Sequence, residues 1–148
     1  MFLSAVEDIP GPDELDGSPI LLVADDVMLE NQENVSRIFC RGRHKNCHAI
    51  YLAQSFGTTN GRRGGVPPVV RRQLTLLCLF HGLDNKTLRS VFDEYCSGDI
   101  EWPEFLEFFS RAAGDRYGFA VLDLREKPFA GKYRRRFEDV YVPKRYLD

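Results

Sequence analysis

Two adjacent carboxylates, Asp25 and Asp26, close an unbroken apolar run, Ile20-Leu21-Leu22-Val23-Ala24. Five apolar residues without alternation predict a strand buried on both faces, the pattern of parallel strands covered by helices. Acids at its carboxyl end would stand at the sheet edge where open α/β sheets bind ligands. The arrangement has the form of a Walker B element. In such an element Asp25 would hold Mg²⁺ through its water shell, and Asp26 would orient the water that attacks a γ-phosphate. Taken alone, the same pattern also fits turn acids or a helix N-cap.

A second polar group takes a matching position. His48-Ala49-Ile50-Tyr51-Leu52-Ala53 predicts another buried strand, and Gln54-Ser55 ends it. An amide at that tip has the position where many P-loop ATPases carry a residue that senses the γ-phosphate. Between the two strands, Val27 to Cys40 predicts a helix with Val27, Met28, Val35, Ile38 and Phe39 on one face. Gly42 is a helix stop, and the basic run Arg41-Gly42-Arg43-His44-Lys45 suits the negative end of the helix dipole. Phe56 to Pro68, rich in Gly, Thr, Arg and Pro, predicts a mobile loop. It leads through Val69-Val70-Arg71-Arg72-Gln73 into a third apolar run, Leu74 to Phe80. Helices over Lys86–Phe92 and Phe105–Arg111 and a closing strand within Tyr117–Leu124 complete the order. Strands alternating with helices predict an α/β fold with a mainly parallel sheet.

The series LLVADDVM, IFCRGRHKNCHAIYLAQSF and VPPVVRRQLTLLCLF, spanning Ile20 to Phe80, resembles the later half of viral DNA-packaging ATPases of the FtsK/HerA superfamily. The nearest likeness is to the poxvirus-type enzymes and their relatives in large DNA viruses, virophages and Maverick-type elements. Tyr117–Leu124 and the basic stretch Lys132-Tyr133-Arg134-Arg135-Arg136-Phe137 also fit that family's closing strand and basic end. The resemblance implies a RecA-like P-loop NTPase that forms a homo-oligomeric ring, binds Mg²⁺ and ATP between subunits, and drives double-stranded DNA into a capsid at a portal vertex. It implies Asp25 and Asp26 as the metal and water-activating acids and Gln54 as the phosphate sensor. Arg71 and Arg72 become the candidate arginine finger. Arg41, Arg43, His44, Arg62 and Arg63 become candidates for DNA or inter-subunit contact.

The family's Walker A element is missing. No G-x-x-x-x-G-K-[ST] occurs, and Gly61-Arg62-Arg63-Gly64-Gly65 lacks the Lys-Ser/Thr and follows no buried strand. A phosphate cradle needs backbone N–H groups at a helix N-terminus together with a lysine. Only 19 residues precede Ile20. The expectation is therefore a C-terminal portion of a P-loop ATPase domain over 20–148, with 1–19 as a lead-in segment and 82–116 as a helical insertion. Its first P-loop strand is missing, and it would be inactive unless an upstream half carrying Walker A joins it.

At 148 residues, 43% hydrophobic and net charge −2, the chain can bury one ordinary core and carries no global bias toward nucleic acid. Basic residues nonetheless cluster, and local basic loops can line a DNA channel. Each cluster could equally be a solvated surface. Met1-Phe2-Leu3 passes quickly to acids, and no apolar run approaches the ~20 residues of a membrane span. An intracellular location, at the site of virion assembly, is the expectation.

Two further patterns have metal-ligand character. Cys40, His44, Cys47 and His48 are zinc ligand types in a spacing foreign to common zinc modules. Asp93, Ser97, Gly98, Ile100 and Glu104 occupy loop positions one, five, six, eight and twelve of an EF-hand. Tyr95 and Pro103 depart from that loop. The alternative to the ATPase is thus a non-enzymatic interaction or calcium-binding module built on Asp93–Glu104. Trp102, Phe105, Phe108 and Phe109 have helical spacing and predict a packing face.

Overall fold

The computed structural model describes residues 6–57 and 65–147, apart from the side chains of Glu7 and Met28. The chain is a mixed α/β protein that divides into two compact units, Met1–Leu74 and Thr75–Asp148.

In the first unit, β1 (Ile20–Asp25) and β2 (Cys47–Leu52) pair in parallel, with Ile20 opposite Cys47 and Asp25 opposite Leu52. The helix between them, α1 (Glu33–Arg41), is the crossover that parallel strands require. It is shorter than the periodicity predicts. Asp26 turns into left-handed backbone and Val27–Leu29 forms a single 3-10 turn, so the helix opens only where Asn31 Oδ1 accepts from Glu33 N–H at 3.1 Å. Val35 and Ile38 are buried on its inner face and share a core with Val6, Ile9, Leu15, Ala24, Val27 and Cys47. Side chains of that size stabilise by about 1.5–3 kcal/mol each when fully buried. Asn34 Nδ2 donates to Ile9 O at 2.8 Å and ties the lead-in segment to the helix.

Gly42 does not stop α1 by a left-handed turn. Its φ is −59°, and the chain continues through a 3-10 turn, Gly42–Lys45, that ends at Asn46 with φ 55°. The glycine is needed for closeness instead, because a Cβ there would lie 3.2 Å from Ile38 Cγ2 and 3.3 Å from Cys47 Cβ. Beyond β2, Gly57 and Gly65 bring their backbones together: a Cβ on Gly65 would lie 2.6 Å from Gly57 O. The short helix α2 (Pro68–Arg71) follows and contacts α1.

The second unit is an antiparallel sheet. β3 (Leu76–Phe80), β4 (Phe119–Asp123), β5 (Tyr133–Arg135) and β6 (Asp139–Tyr141) lie in sequential order, each antiparallel to the next. Between β3 and β4 come α3 (Asn85–Tyr95) and α4 (Trp102–Ala113). Asp84 caps α3 by accepting from Thr87 N–H at 2.7 Å, and Pro103 suits the first turn of α4. Phe105 and Phe108 of α4 are buried, and Phe108 meets the rings of Tyr133 at 5.5 Å and Tyr141 at 5.3 Å.

The expected mainly parallel sheet is therefore corrected to two sheets, one parallel and two-stranded, one antiparallel and four-stranded. Apolar runs report burial and not partners, and the run ending at Phe80 pairs with Phe119–Asp123 rather than with β1 or β2. Burial of β1 on both faces is corrected as well. Leu21 is 60% and Val23 50% exposed, while Ile20, Leu22 and Ala24 turn inward. The outward row continues onto Ile50 and Leu52 of β2.

Candidate functional site

The carboxyl ends of β1 and β2 lie side by side, and the polar residues just beyond them meet. Asp26 N–H donates to Leu52 O at 3.4 Å, and Asp26 takes φ 53°. Left-handed backbone at a residue other than glycine costs of order 1 kcal/mol. The turn brings the Asp26 carboxylate to Gln54, whose Nε2 donates to Asp26 Oδ1 at 3.2 Å. Two residues 28 apart in sequence are joined because parallel strands carry them to the same edge. Asp25 is exposed in the strand's last position, with no hydrogen bond or ion pair among the described residues.

Tyr51, three residues before Gln54, supports this edge from beneath. Its hydroxyl donates to Gln32 Oε1 at 2.7 Å, and its ring lies 6.3 Å from that of Phe39. Burial, and then the negative charge of Asp26, push its pKa up. The sequence reading missed the Tyr51–Gln32 pair. A tyrosine inside a buried strand, which must find a partner for its hydroxyl, was the available signal.

Arg71 closes α2, and its guanidinium lies over the ring of Phe56 at 5.0 Å. Phe56 follows Gln54 by two residues, so Arg71 is seated beside the chain that leaves the same edge. Arg72 is exposed at the helix end. Arg41, Arg43 and His44 are placed differently. They are exposed and make no ion pair among the described residues; Arg41 ends α1 and Arg43 and His44 lie in the turn that enters β2, so the length of that six-residue strand, roughly 16 Å, lies between them and Gln54. Arg62 and Arg63 lie outside the described residues.

The donor set at Asp25 and Asp26 suits Mg²⁺, which binds through one or two carboxylates and keeps several waters. Two shallow depressions elsewhere in the unit, of about 360 and 220 Å³, are lined by Gly11, Asp13, Glu14 and Arg37 and by Val6, Asn31 and Glu33, with Asn34 common to both. Asp25, Asp26 and Gln54 line neither of them.

The other ligand-type residues are held apart. Cys47 points inward and its thiol donates to His48 O at 3.7 Å, while His44 and His48 face solvent. At the EF-hand-like stretch α3 continues through Tyr95 and α4 begins at Trp102, which leaves a connection of residues 96–101. Asp93 lies inside α3 and pairs with Arg89 at 3.0 Å. Glu104 Oε1 accepts from Tyr141 Oη at 2.8 Å and from Lys144 N–H at 2.7 Å. Asp99 accepts from Lys132 Nζ and, at 3.1 Å, from Tyr133 Oη, and Lys132 also donates to Tyr95 O at 2.7 Å. Among the described residues no three His, Cys, Asp or Glu side chains gather in a way that could hold a metal ion.

Compared with protein-family models, with curated proteins and with solved structures, this chain matches none.

Proposed function

We propose that the first unit is the Walker B and sensor half of a P-loop ATPase site, belonging to a motor that moves double-stranded DNA, with the phosphate cradle lying outside these residues. The single observation that supports the reading is the hydrogen bond from Gln54 to Asp26 across the carboxyl ends of two parallel strands. A carboxylate that must align a water needs its own orientation fixed, and an amide that can donate both to that carboxylate and to a phosphate oxygen links nucleotide state to catalysis. Mg²⁺ held through Asp25 would neutralise charge on the β- and γ-phosphates. Arg71 or Arg72 serves as the finger for a neighbouring subunit, and Arg41, Arg43 and His44, at the far end of β2, serve as DNA contacts. Ring assembly at a capsid portal follows from the same family resemblance.

The test is Mg-ATP hydrolysis by the chain alone and after mixing with a Walker A-bearing polypeptide from the same genome. The chain alone should be inactive, since a site without P-loop amides and lysine loses its main electrostatic partners. The mixture should turn over, Asp26→Asn should abolish the activity, and Gln54→Ala should lower kcat by about 10²–10³. Turnover by the isolated chain, or turnover in the mixture that is indifferent to Asp26, refutes the proposal.

A further inference from the structure

We infer that one end of the antiparallel sheet in the second unit is a stacking platform for single-stranded nucleic acid. Phe80 of β3 and Phe119 of β4 are register partners, with ring centroids 5.4 Å apart. Phe137, just past β5, sets its ring edge-on against Phe119 at 5.3 Å. Strand alternation puts this row on the face opposite the one where Tyr133, the register partner of Leu122, meets α4. Phe80 is 59% and Phe137 54% exposed, so the row presents ring surface to solvent. Scattered exposed apolar residues are ordinary, but a contiguous row of aromatic rings marks a contact surface.

Charge identifies the occupant. Arg134 Nε donates to Gly131 O at 2.7 Å and its guanidinium stands 3.8 Å from Asp123, and Arg135 is taken by Asp115 and Asp139. Arg136 is not taken. It is exposed, makes no ion pair among the described residues, and holds φ 53° while its N–H donates to Phe119 O at 2.9 Å. The backbone that carries this arginine is thus tied to Phe119 and runs on into Phe137, in a conformation residues other than glycine seldom adopt. Arg116, in the turn before β4, stands with its guanidinium 5.2 Å from the centroid of exposed Tyr117. Glu138, next to Phe137, opposes them, as do Asp115 and Asp139, two acids that share the single Arg135.

Rings for bases beside cations for phosphates bind single strands, whereas a duplex keeps its base faces stacked away. The inference concerns the second unit and does not depend on the nucleotide site in the first.

The experiment is fluorescence anisotropy of a labelled oligothymidylate titrated with the full chain. Saturable binding is expected, weakened about ten-fold or more by Phe80→Ala and by Phe137→Ala and kept by Phe137→Trp. Arg136→Ala should weaken binding and flatten the slope of log K against log salt by about 0.7, and Glu138→Gln should tighten it. These side chains are exposed, so circular dichroism should be unchanged in every variant. Absence of saturable binding overturns the inference. So does binding that is unaffected in both Phe variants but lost in Arg41→Ala or Arg43→Ala, since the contact then lies on the first unit. Dimers in light scattering that Phe137→Ala disperses, without oligonucleotide binding, would give the row to a second copy.

Discussion

Single charged residues in this chain divide into those already committed and those left open. Asp123 is committed: buried at the end of β4, it accepts from Arg125 Nε at 3.0 Å and from Arg125 Nη2 at 2.9 Å. The Arg125 hydrogen bond, reinforced by the positive charges of Arg125 and Arg134, lowers its carboxyl pKa below the usual carboxylate range despite burial. The stabilisation is therefore complete above the unfolded carboxylate value of about 3.9 and is lost as pH falls through the lower folded value. Asp123→Ala should cost about 1–3 kcal/mol at neutral pH, the worth of hydrogen bonds to a charged group. Urea titrations at neutral and at strongly acidic pH check this, because the difference between the two proteins should vanish once both carboxyl populations are protonated. Asp25 and Arg136 are the opposite case. Both are exposed, and neither makes an ion pair among the described residues.

At the scale of elements, Asp93, Asp99 and Glu104 of the EF-hand-like stretch on and between α3 and α4 are engaged by other side chains. Burial and the hydrogen bond to Glu104 push the Tyr141 phenol up to about 12, and the same carboxylate receives Lys144 N–H, so Glu104 fastens the C-terminal strand and turn to α4. Millimolar Ca²⁺ should leave the thermal midpoint unchanged, since a ligand that does not bind the native state cannot stabilise it. Glu104→Ala should lower stability by about 1–3 kcal/mol with or without calcium, because two donors lose their acceptor. Calorimetry in EDTA and in CaCl₂ separates the two cases. A calcium-dependent rise of the midpoint, lost in Glu104→Gln, would instead favour the calcium-binding module.

Across the whole molecule, the two units differ in how complete their sheets are. The second unit has four strands with α4 packed on one face and a core of Phe105, Phe108, Leu122 and Tyr133. The first has two parallel strands whose outward row, Leu21, Val23, Ile50 and Leu52, is exposed. Parallel sheets are ordinarily covered on both faces, and an uncovered apolar face promotes association. Residues 75–148 expressed alone should fold cooperatively, whereas residues 1–74 alone should aggregate. Size-exclusion chromatography with circular dichroism of the two fragments tests this. A soluble, cooperatively folding 1–74 fragment would mean that the outward row needs no cover.

Local chemistry placed several of the elements. The unbroken run before Asp25 marks β1, the run before Gln54 marks β2, and the helical stretches Lys86–Phe92 and Phe105–Arg111 fall within α3 and α4. These are nearest-neighbour effects of capping, dihedral preference and periodicity, and they act within a few residues. The pairing of those elements could not be read in the same way. An apolar run buries equally well in a parallel or an antiparallel sheet, so only the folded chain placed Leu76–Phe80 against Phe119–Asp123. Tertiary structure also decided which charges are spent. In the basic stretch 132–136, Lys132, Arg134 and Arg135 are drawn to Asp99, Asp123, Asp115 and Asp139, acids up to 33 residues distant, while Arg136 is left to solvent. The same long-range step brought Gln54 to Asp26, because strand direction and register set which residues share an edge, and neither is encoded within one strand.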